Sequence, residues 1–349
     1  MIEKSTNLQF MRFVAACLVI FSHSFAITQG SGENEWLWKA TNGQLDLGAV
    51  AVAIFFLCSG YLIARSLEKK KVSFMEFFIA RAKRIIPPLL FVVICSVLVG
   101  ACISTFTVKD YFTNLQTYRY LLNGIMVLQH ELPGVFEEAK YASTVNGALW
   151  TLPVEFLCYI ACYVAWKMEF LKKKKILWTI PLVISASIVI YVLGIYAPIL
   201  RAVIRPCLLF YIGIIFCVYR DVIKLNKHFL VFCIIGILAC TLLEILEIGM
   251  LVFFPYAMIM CWFYNKQHFQ KLSVLGKYSY AMYLWGFPVQ QFAAERFSWN
   301  LSPYTDAVIS LIVSFILAVI TYYLVENPFS SKSKFARIEQ RNNSNEIKT

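Results

Sequence analysis

The sequence has few charged residues and even fewer acidic ones. Only 15% of its 349 residues are charged, and 20 Asp and Glu residues stand against 32 Lys and Arg residues. Apolar residues make up 60% of the chain, whereas soluble domains contain roughly 45–50%. Such a small polar fraction excludes an ordinary soluble globular protein and predicts a polytopic membrane protein.

Cysteine is absent from the hydrophilic connections. All eleven cysteines fall inside long apolar stretches, so the sequence contains no evident disulfide framework and no metal-binding spacing. Cysteine in such a segment acts as a small apolar packing residue. We therefore expect no metal cofactor.

Ten apolar stretches approach the roughly 17–25 residues that a helix needs to cross a bilayer. Helices satisfy their backbone polar groups internally, and these lengths exceed those of barrel strands. The sequence therefore predicts an all-α bundle of about ten transmembrane helices, forming a single membrane domain over residues 1–349. The predicted spans are 9–28, 47–64, 86–106, 150–166, 176–193, 203–219, 228–246, 249–264, 274–293 and 304–325.

Lysine and arginine accumulate on one side of these spans. With the N-terminus in the cytoplasm, 24 of the 32 basic residues are cytoplasmic, seven lie outside and Arg12 lies within the first span. This bias predicts that both termini are cytoplasmic. It also explains the net charge of +12 without a nucleic-acid partner. Because the first span lacks a small-residue cleavage site, we do not expect a removable signal peptide.

Little of the chain lies outside the predicted membrane region. The first eight residues and the cytoplasmic tail 326–349 are too short to bury a core, so no soluble domain is expected at either end. The longest connection, 107–149, is predicted on the outer side, and its length suits a functional loop. Its apolar piece "YLLNGIMVL" fits a re-entrant or an interfacial helix.

Two ionisable residues, Arg12 and His23, interrupt the first span. They are eleven residues apart in "FMRFVAACLVIFSHSF", so on a helix they share one face and lie about 16.5 Å apart along the axis. Taken singly, Arg12 fits a snorkelling anchor and His23 fits a hydrogen-bonded residue of the bundle. A charge at mid-membrane costs about 2.5–3.5 kcal/mol, so the shared face favours a functional pair.

Glu155, in the fourth span "WTLPVEFLCYIACYVAW", is predicted at the depth of His23. Each residue lies roughly 7.5 Å from the outer end of its helix. One interpretation is an acid that complements a helix N-terminus. The other is a carboxylate that orients a catalytic histidine and stabilises its protonated form.

Basic residues gather at the inner ends of the spans. Arg81 and Arg84, in "RAKRIIPPLL", are neighbours on a helix face. With Arg12 they form a candidate site for a polyanion arriving from the cytoplasm, because guanidinium groups bind phosphate bidentately. Ordinary positive-inside charge explains part of this pattern and all of the lysine runs 69–71 and 172–175.

Several polar or helix-breaking residues have both a structural and a functional interpretation. Ser59 and Gly60 fit close helix packing, although Ser59 is also a candidate donor-side residue. Gly286 and Pro288 predict a kink or a broken helix in the ninth span. Glu326, in "VENPF", fits a surface acid or a partner for the inner arginines.

Taken in order, these segments resemble the acyltransferase-3 family of bacterial integral-membrane O-acyltransferases. The most specific match is an arginine followed eleven positions later by a histidine, here Arg12 and His23. Some members carry a histidine after "YLW", where this chain has Gly286, and this sequence has no soluble hydrolase-like domain of the kind fused to some relatives. The supporting matches are "FFLCSGYLIARS", "RAKRIIPPLL", "GALWTLPVEF" and "YSYAMYLWGFPVQ".

The resemblance implies transfer of an acyl group, usually acetyl from cytoplasmic acetyl-CoA, at the bacterial inner membrane. The implied acceptor is a hydroxyl of a cell-surface polysaccharide or of its lipid-linked oligosaccharide precursor. His23 would be the main catalytic residue and Arg12 its companion, with Arg81 and Arg84 on the donor side. The acceptor-side candidates are Trp150, Asn146 and His130, and Glu155 belongs to the same motif as Trp150.

These residues suggest a route for the acyl group. A pantetheine-like arm entering at the inner arginines would bring its thioester near His23, which would take the proton of the attacking hydroxyl while Glu155 orients the imidazole. The competing hypotheses are a transporter or flippase of a glycan or lipid-linked intermediate and a noncatalytic assembly subunit. The sequence leaves open the sugar, the acyl group, a covalent intermediate, a partner acyltransferase and a homo-oligomer.

Overall fold

The computed structural model describes residues 6–68, 72–141, 143–194, 198–263 and 271–329, and within these ranges it contains no strand. Some of the basic residues used to predict the orientation lie outside the described residues. They belong to residues 1–5, to the lysine run at 69–71 and to the tail beyond residue 329. The longer helices are α1 (Thr6–Gln29), α2 (Leu47–Glu68), α3 (Phe74–Ile103), α4 (Thr151–Lys167), α5 (Lys173–Leu193), α6 (Pro198–Val218), α7 (Lys227–Leu242), α8 (Leu246–Val252), α9 (Phe254–Phe263), α10 (Ser279–Arg296) and α11 (Pro303–Thr321).

Each predicted span overlaps one of these helices if α8 and α9, which meet at 41°, count as one. Among the described residues, six segments are long and apolar enough to cross a membrane, namely those built on α1, α2, α3, α4, α5 and α11. The bent pair makes a seventh, and two further helices are apolar but shorter, namely α7 and the part of α6 from Ala202 to Val218. A polytopic helical bundle is therefore confirmed, whereas the count of ten and the orientation stay predictions.

α1 lies at the centre of the bundle. It packs against α2, α10 and α11, and its residues Ala15, Ala16 and Ile20 are completely buried. α5 is peripheral by contrast, and its Trp178 is 80% exposed. A central helix meets protein rather than lipid on its polar face, which is how α1 accommodates an arginine and a histidine.

Small residues bring α2 and α6 into close contact. A Cβ added at Gly60 would lie 1.9 Å from the carbonyl oxygen of Phe210, and one added at Gly213 would lie 2.3 Å from that of Leu57. No larger side chain fits either position without moving a backbone. The packing interpretation of Gly60 is therefore confirmed.

α10 is one continuous helix through Gly286 and Pro288, so the broken-helix alternative is wrong, whereas the kink stays a prediction. Proline removes the hydrogen bond that its N–H would donate to the carbonyl four residues earlier, at Leu284. That carbonyl instead accepts a hydrogen bond from Asn146 Nδ2 at 3.0 Å. A Cβ at Gly286 would lie 2.6 Å from Ile20 Cγ1, so the tight contact with α1 leaves no room there for a histidine.

The connection 104–150 folds back into the bundle. A 3-10 turn at Leu121–Ile125 lies within "YLLNGIMVL", and a Cβ at Gly124 would come within 2.2 Å of Leu90 Cδ2 on α3. Leu90 lies 13 residues, or about 20 Å, before the end of α3 at Ile103. This depth favours the re-entrant alternative over the interfacial one.

Candidate active site

A small cavity lies among α1, α2, α4 and α10 and receives the side chain of Arg12. Arg12 is only 7% exposed. The cavity, which we call the Arg12 cavity, measures about 30 Å³, room for about one or two water molecules. The polar side chains that line it with Arg12 are those of Thr151, Glu155, Tyr280 and Tyr283.

Glu155 is held by two hydroxyl groups in the Arg12 cavity. Its Oε1 accepts a hydrogen bond from Ser59 Oγ at 2.5 Å and another from Tyr159 OH. Arg12 lies close enough to interact electrostatically with this carboxylate. The buried cation of Arg12 and the half-buried anion of Glu155 therefore compensate each other. Ser59 belongs to the same polar cluster.

The depth of Glu155 corrects the prediction that it lies level with His23. α10 runs parallel to α1, because Gly276, just before α10, lies against Gln9, whereas Gln290 bonds the Ile20 carbonyl and Ser24. Tyr283 of α10 is hydrogen-bonded to Thr151, the first residue of α4. On α10, Tyr283 lies four residues before Phe287, whose ring contacts His23. Glu155 lies a further turn toward the side on which α1 begins, so it is roughly 12 Å from the level of His23.

The structure explains this difference through the turn before α4. The 3-10 turn Gly147–Trp150 starts deep in the bundle, because Asn146 is bonded to the middle of α10. α4 therefore begins at the level of the middle of α10 rather than at the end of the bundle. Among the described residues no hydrogen bond joins Glu155 to His23, so Glu155 does not orient the imidazole here.

Of the two arginines of α3, Arg84 lies near Arg12 and Arg81 lies near Arg84, on the side of the bundle where α1 begins. Arg81 donates a hydrogen bond from Nη2 to Ser66 Oγ at 3.3 Å, and its guanidinium lies 5.4 Å from the ring centre of Phe77. Arg84 is exposed and interacts electrostatically with Arg12. Three guanidinium groups thus create a positive field at this end. That they bind a polyanion stays a prediction.

Glu326 belongs to the same cluster. It ends a π-helical turn, Tyr322–Glu326, which continues α11. Its carboxylate interacts electrostatically with Arg84 and Arg12, and its Oε1 is buried without a hydrogen bond. Of the two interpretations given above, the structure favours a partner for the inner arginines. Single π turns occur frequently at functional sites.

His23 lies farther along α1 and packs against α10. Its ring meets Phe287 edge-on, with ring centres 5.2 Å apart. The Nδ1 atom is buried and has no hydrogen-bond partner among the described residues. Because buried polar atoms are normally bonded, this nitrogen has capacity for a water molecule or a substrate.

Arg12 and His23 face one stripe of α10. Tyr280 and Tyr283 of this stripe line the Arg12 cavity, and Phe287 contacts His23. The stripe covers seven residues, or about 10.5 Å. Neither side chain points into lipid, so the predicted shared face of α1 is directed into the bundle.

Two carboxylates that the sequence reasoning missed lie near His23. Asp46 accepts a hydrogen bond from Ala49 N at 2.5 Å, as a cap of α2, and is an electrostatic neighbour of His23. Glu35 is fully buried and accepts hydrogen bonds from Ser22 Oγ and Leu47 N, each at 3.0 Å. Burial raises the pKa of Glu35. An acidic residue just before an apolar span is an N-cap signal, so Asp46 could have been identified from the sequence as a cap of α2. No local sequence pattern identifies Glu35 as a buried residue.

The acceptor-side candidates lie in different surroundings. Asn146 is buried and bonds Leu284 O and Ala148 N, so its evident role is structural. Trp150 is half-buried at the end of its 3-10 turn, and the His130 side chain is exposed. The structure does not bring these three side chains together with His23, and their contact with an acceptor stays a prediction.

A buried polar network ties α1 to α10 and α11. Gln290 Nε2 lies 2.7 Å from both Ile20 O and Ser24 Oγ and 3.1 Å from Asp306 Oδ2. Gln290 and Asp306 are completely buried. These bonds fix the part of α1 that carries His23, which the sequence reasoning did not anticipate.

Comparison with known proteins agrees with this arrangement. The sequence model described as an acyltransferase domain, of acyltransferase family 3, matches residues 5–323. The O-acetyl transferase of Shigella phage Sf6 is 29% identical over 365 residues, which covers 95% of this chain and 98% of the phage protein. O-acetyltransferase OatA of Staphylococcus aureus is 24% identical over 332 residues, covering 82% of this chain and 53% of OatA. No solved structure matches the chain.

A bundle of long apolar helices with an arginine and a histidine on one inward face defines a multi-pass membrane protein with an ionisable site inside the bundle. The family match extends over nearly the whole chain, so the chain belongs to the acyltransferase-3 family. It is a multi-pass membrane O-acyltransferase.

Proposed function

We propose that this protein transfers an acetyl group from cytoplasmic acetyl-CoA to a hydroxyl of a cell-surface polysaccharide or its lipid-linked precursor, across the bacterial inner membrane. One observation carries the proposal: Arg12 and His23 lie against a single stripe of α10, with a cation at one level and a base at another. The names of the phage and staphylococcal relatives favour acetyl as the acyl group.

The donor enters on the side where α1 begins. Phosphates cannot cross hydrocarbon, so they stay with Arg12, Arg81 and Arg84 while the slender pantetheine arm enters the bundle. The Arg12 cavity of about 30 Å³ is too small for that arm. Donor binding therefore requires its apolar wall, formed in part by Phe55 and Phe56, to move aside.

His23 acts as the general base. A free imidazole has a pKa of about 6.5 and is mostly neutral at pH 7.5, so it accepts the hydroxyl proton as the oxygen attacks the thioester carbonyl. The C–O bond forms, the C–S bond breaks, and the thiolate of CoA takes the proton from the imidazolium. Asp46 supplies a nearby negative charge that stabilises the imidazolium.

A covalent acetyl-enzyme is the alternative chemical route, with His23 or Ser59 as the acceptor. Rapid mixing with labelled acetyl-CoA distinguishes the two routes. A burst of one acetyl group per protein indicates the covalent route, and its absence indicates direct transfer.

The test of the function compares surface glycans from cells with and without this protein. NMR or mass spectrometry measures their ester content, and complementation uses the wild type and His23→Ala at matched membrane levels. We expect acetyl esters only with the wild type. Unchanged ester content in cells that express the protein would count against the proposal.

The transporter hypothesis has lost its main support. It rested on a broken ninth span, but α10 continues through Gly286 and Pro288. Reconstituted vesicles with labelled acetyl-CoA on the donor side separate the two functions. Glycan movement without acetyl incorporation would favour the transporter.

A further inference from the structure

A second cavity lies at the ends of α2, α4 and α6, on the side of the bundle where α1 begins. It measures about 330 Å³, which is at the lower end of the range for small-molecule sites. Its wall contains the aromatic ring of Trp166 and the buried Ala64 and Val218. Lys167 and Lys172 stand at its rim. We call it the Trp166 cavity.

The acidic residues of this cavity already have partners. Glu68 forms an ion pair with Arg220 at 2.6 Å, and Glu169 forms one with Lys172 at 2.7 Å. Lys167 makes no ion pair with any residue that the structure describes. The cavity therefore offers an aromatic side chain, apolar wall residues and an ammonium group without a described ion pair, a combination that suits a planar base bearing a phosphate.

One stripe of α4 connects this cavity to the Arg12 cavity. Glu155, Tyr159, Cys162 and Trp166 are spaced by three or four residues and share a helix face. Arg81 lies beside Tyr159 and Cys162, about 6 Å along the axis from Trp166. Glu155 lies about 16.5 Å from Trp166 along the same axis.

We propose that the Trp166 cavity binds the 3′-phosphoadenosine half of acetyl-CoA, with the adenine on Trp166 and the 3′-phosphate at Lys167. The pyrophosphate then meets Arg81, and the arm follows α4 toward the Arg12 cavity. A phosphopantetheine arm has the backbone length of about four to five extended residues, or roughly 15 Å. Counted from the level of Tyr159, where Arg81 lies, such an arm passes Glu155 after about 6 Å and covers most of the roughly 18 Å to the level of His23. The proposal rests on the proposed function, because it assumes that CoA is the donor.

The test measures binding of adenosine 3′,5′-bisphosphate to the full chain in lipid nanodiscs by calorimetry. Stacking on an aromatic ring contributes about 1–3 kcal/mol, so Trp166→Leu is expected to weaken binding about tenfold. The matched control is Trp178→Leu, whose ring is exposed on α5, and it should bind as the wild type does. Ala64→Phe narrows the cavity without touching Trp166 and should weaken binding similarly.

A second comparison isolates the phosphate contact. Lys167→Gln should lower the affinity for adenosine 3′,5′-bisphosphate severalfold and leave that for 5′-AMP, which lacks the 3′-phosphate, unchanged. Equal weakening of both nucleotides by Lys167→Gln would overturn the assignment of Lys167.

The outcomes separate this inference from the proposed function. If His23-dependent acetylation occurs while Trp166→Leu and Ala64→Phe bind the bisphosphate as tightly as the wild type, the Trp166 cavity is not the donor site but the function stands. If the bisphosphate binds in a Trp166-dependent way and acetyl-CoA supports no acyl transfer, the proposed function fails and the donor assignment fails with it.

Discussion

At Arg12, α1 is surrounded by ionisable side chains, whereas at His23 it packs against an aromatic ring. Arg12 interacts with Glu155 and Glu326, while the ring of His23 meets Phe287 and its Nδ1 has no described partner. A buried permanent cation requires nearby anions, but a neutral imidazole does not. The difference indicates a binding end and a reactive end on one helix.

The largest effect is expected from His23→Ala. A positioned general base contributes about 10²–10⁴-fold to rate, so acetyl transfer should fall by that factor while the protein still inserts and folds. The measurement is transfer from labelled acetyl-CoA at matched protein levels. His228→Ala, at an exposed position at the start of α7, serves as the control. Activity within tenfold of the wild type in His23→Ala would show that the reactive end lies elsewhere.

Arg12 substitutions test the binding end. Arg12→Lys keeps the charge but loses the planar fork that binds phosphate bidentately, so KM for acetyl-CoA should rise about tenfold. Arg12→Leu leaves the half-buried Glu155 and Glu326 without the cation they interact with, so we also expect a lower unfolding temperature. Thermal unfolding in detergent should therefore separate the two variants. If the wild type, Arg12→Lys and Arg12→Leu had the same KM and the same stability, Arg12 would not mark a binding end distinct from the reactive end at His23.

Glu326→Gln is expected to have a smaller effect than the Arg12 substitutions, and to change binding of acetyl-CoA rather than the transfer step. The change removes a negative charge beside Arg84 and Arg12 but keeps the size of the side chain, so we expect a change in KM for acetyl-CoA of about threefold to tenfold, with kcat little changed. Steady-state kinetics with a saturating acceptor give both values. The control is Glu247→Gln, at the exposed ion pair with Arg205. A fall in kcat alone would place Glu326 with the reacting atoms instead.

The smallest effect is expected from Asp46→Asn. Asparagine caps a helix about as well as aspartate, so α2 should keep its stability while the charge near His23 disappears. We expect a twofold to threefold decrease in kcat, measured across a pH series to follow the titration of the reactive group. Asp110→Asn, in the first turn of the helix Val108–Thr113 in the connection 104–150, is the control. A large loss of stability in Asp46→Asn would assign Asp46 a structural role only.

Local patterns predicted the helices of this protein well. Long apolar runs gave the positions of the spans, and the eleven-residue spacing placed Arg12 and His23 on one face of α1. The prediction for Glu155 failed because its depth depends on where α4 begins. A bond between Asn146 and Leu284 sets that start deep in the bundle, and no local pattern reports a bond between residues 138 positions apart.

Gly286 and Pro288 illustrate the same limit. The sequence predicts a kink or a broken helix from these residues because proline lacks an N–H, and the break does not occur. The structure keeps α10 continuous for two reasons. Asn146 donates a hydrogen bond to the Leu284 carbonyl that Pro288 leaves free, and Ile20 packs against Gly286. Both compensations come from other segments of the chain.

The sequence by itself determined that the chain forms membrane helices and that α1 carries a cation and a base on one face, since apolar run length and helical periodicity are properties of a single segment. Only the tertiary structure decided that Glu155 and Glu326 serve Arg12, that Asp46 lies near His23 and that Trp166 closes a cavity with α2 and α6. These relations depend on the depth and rotation at which helices pack. Packing is set by contacts such as that of Gly60 with Phe210, which join residues far apart in the chain.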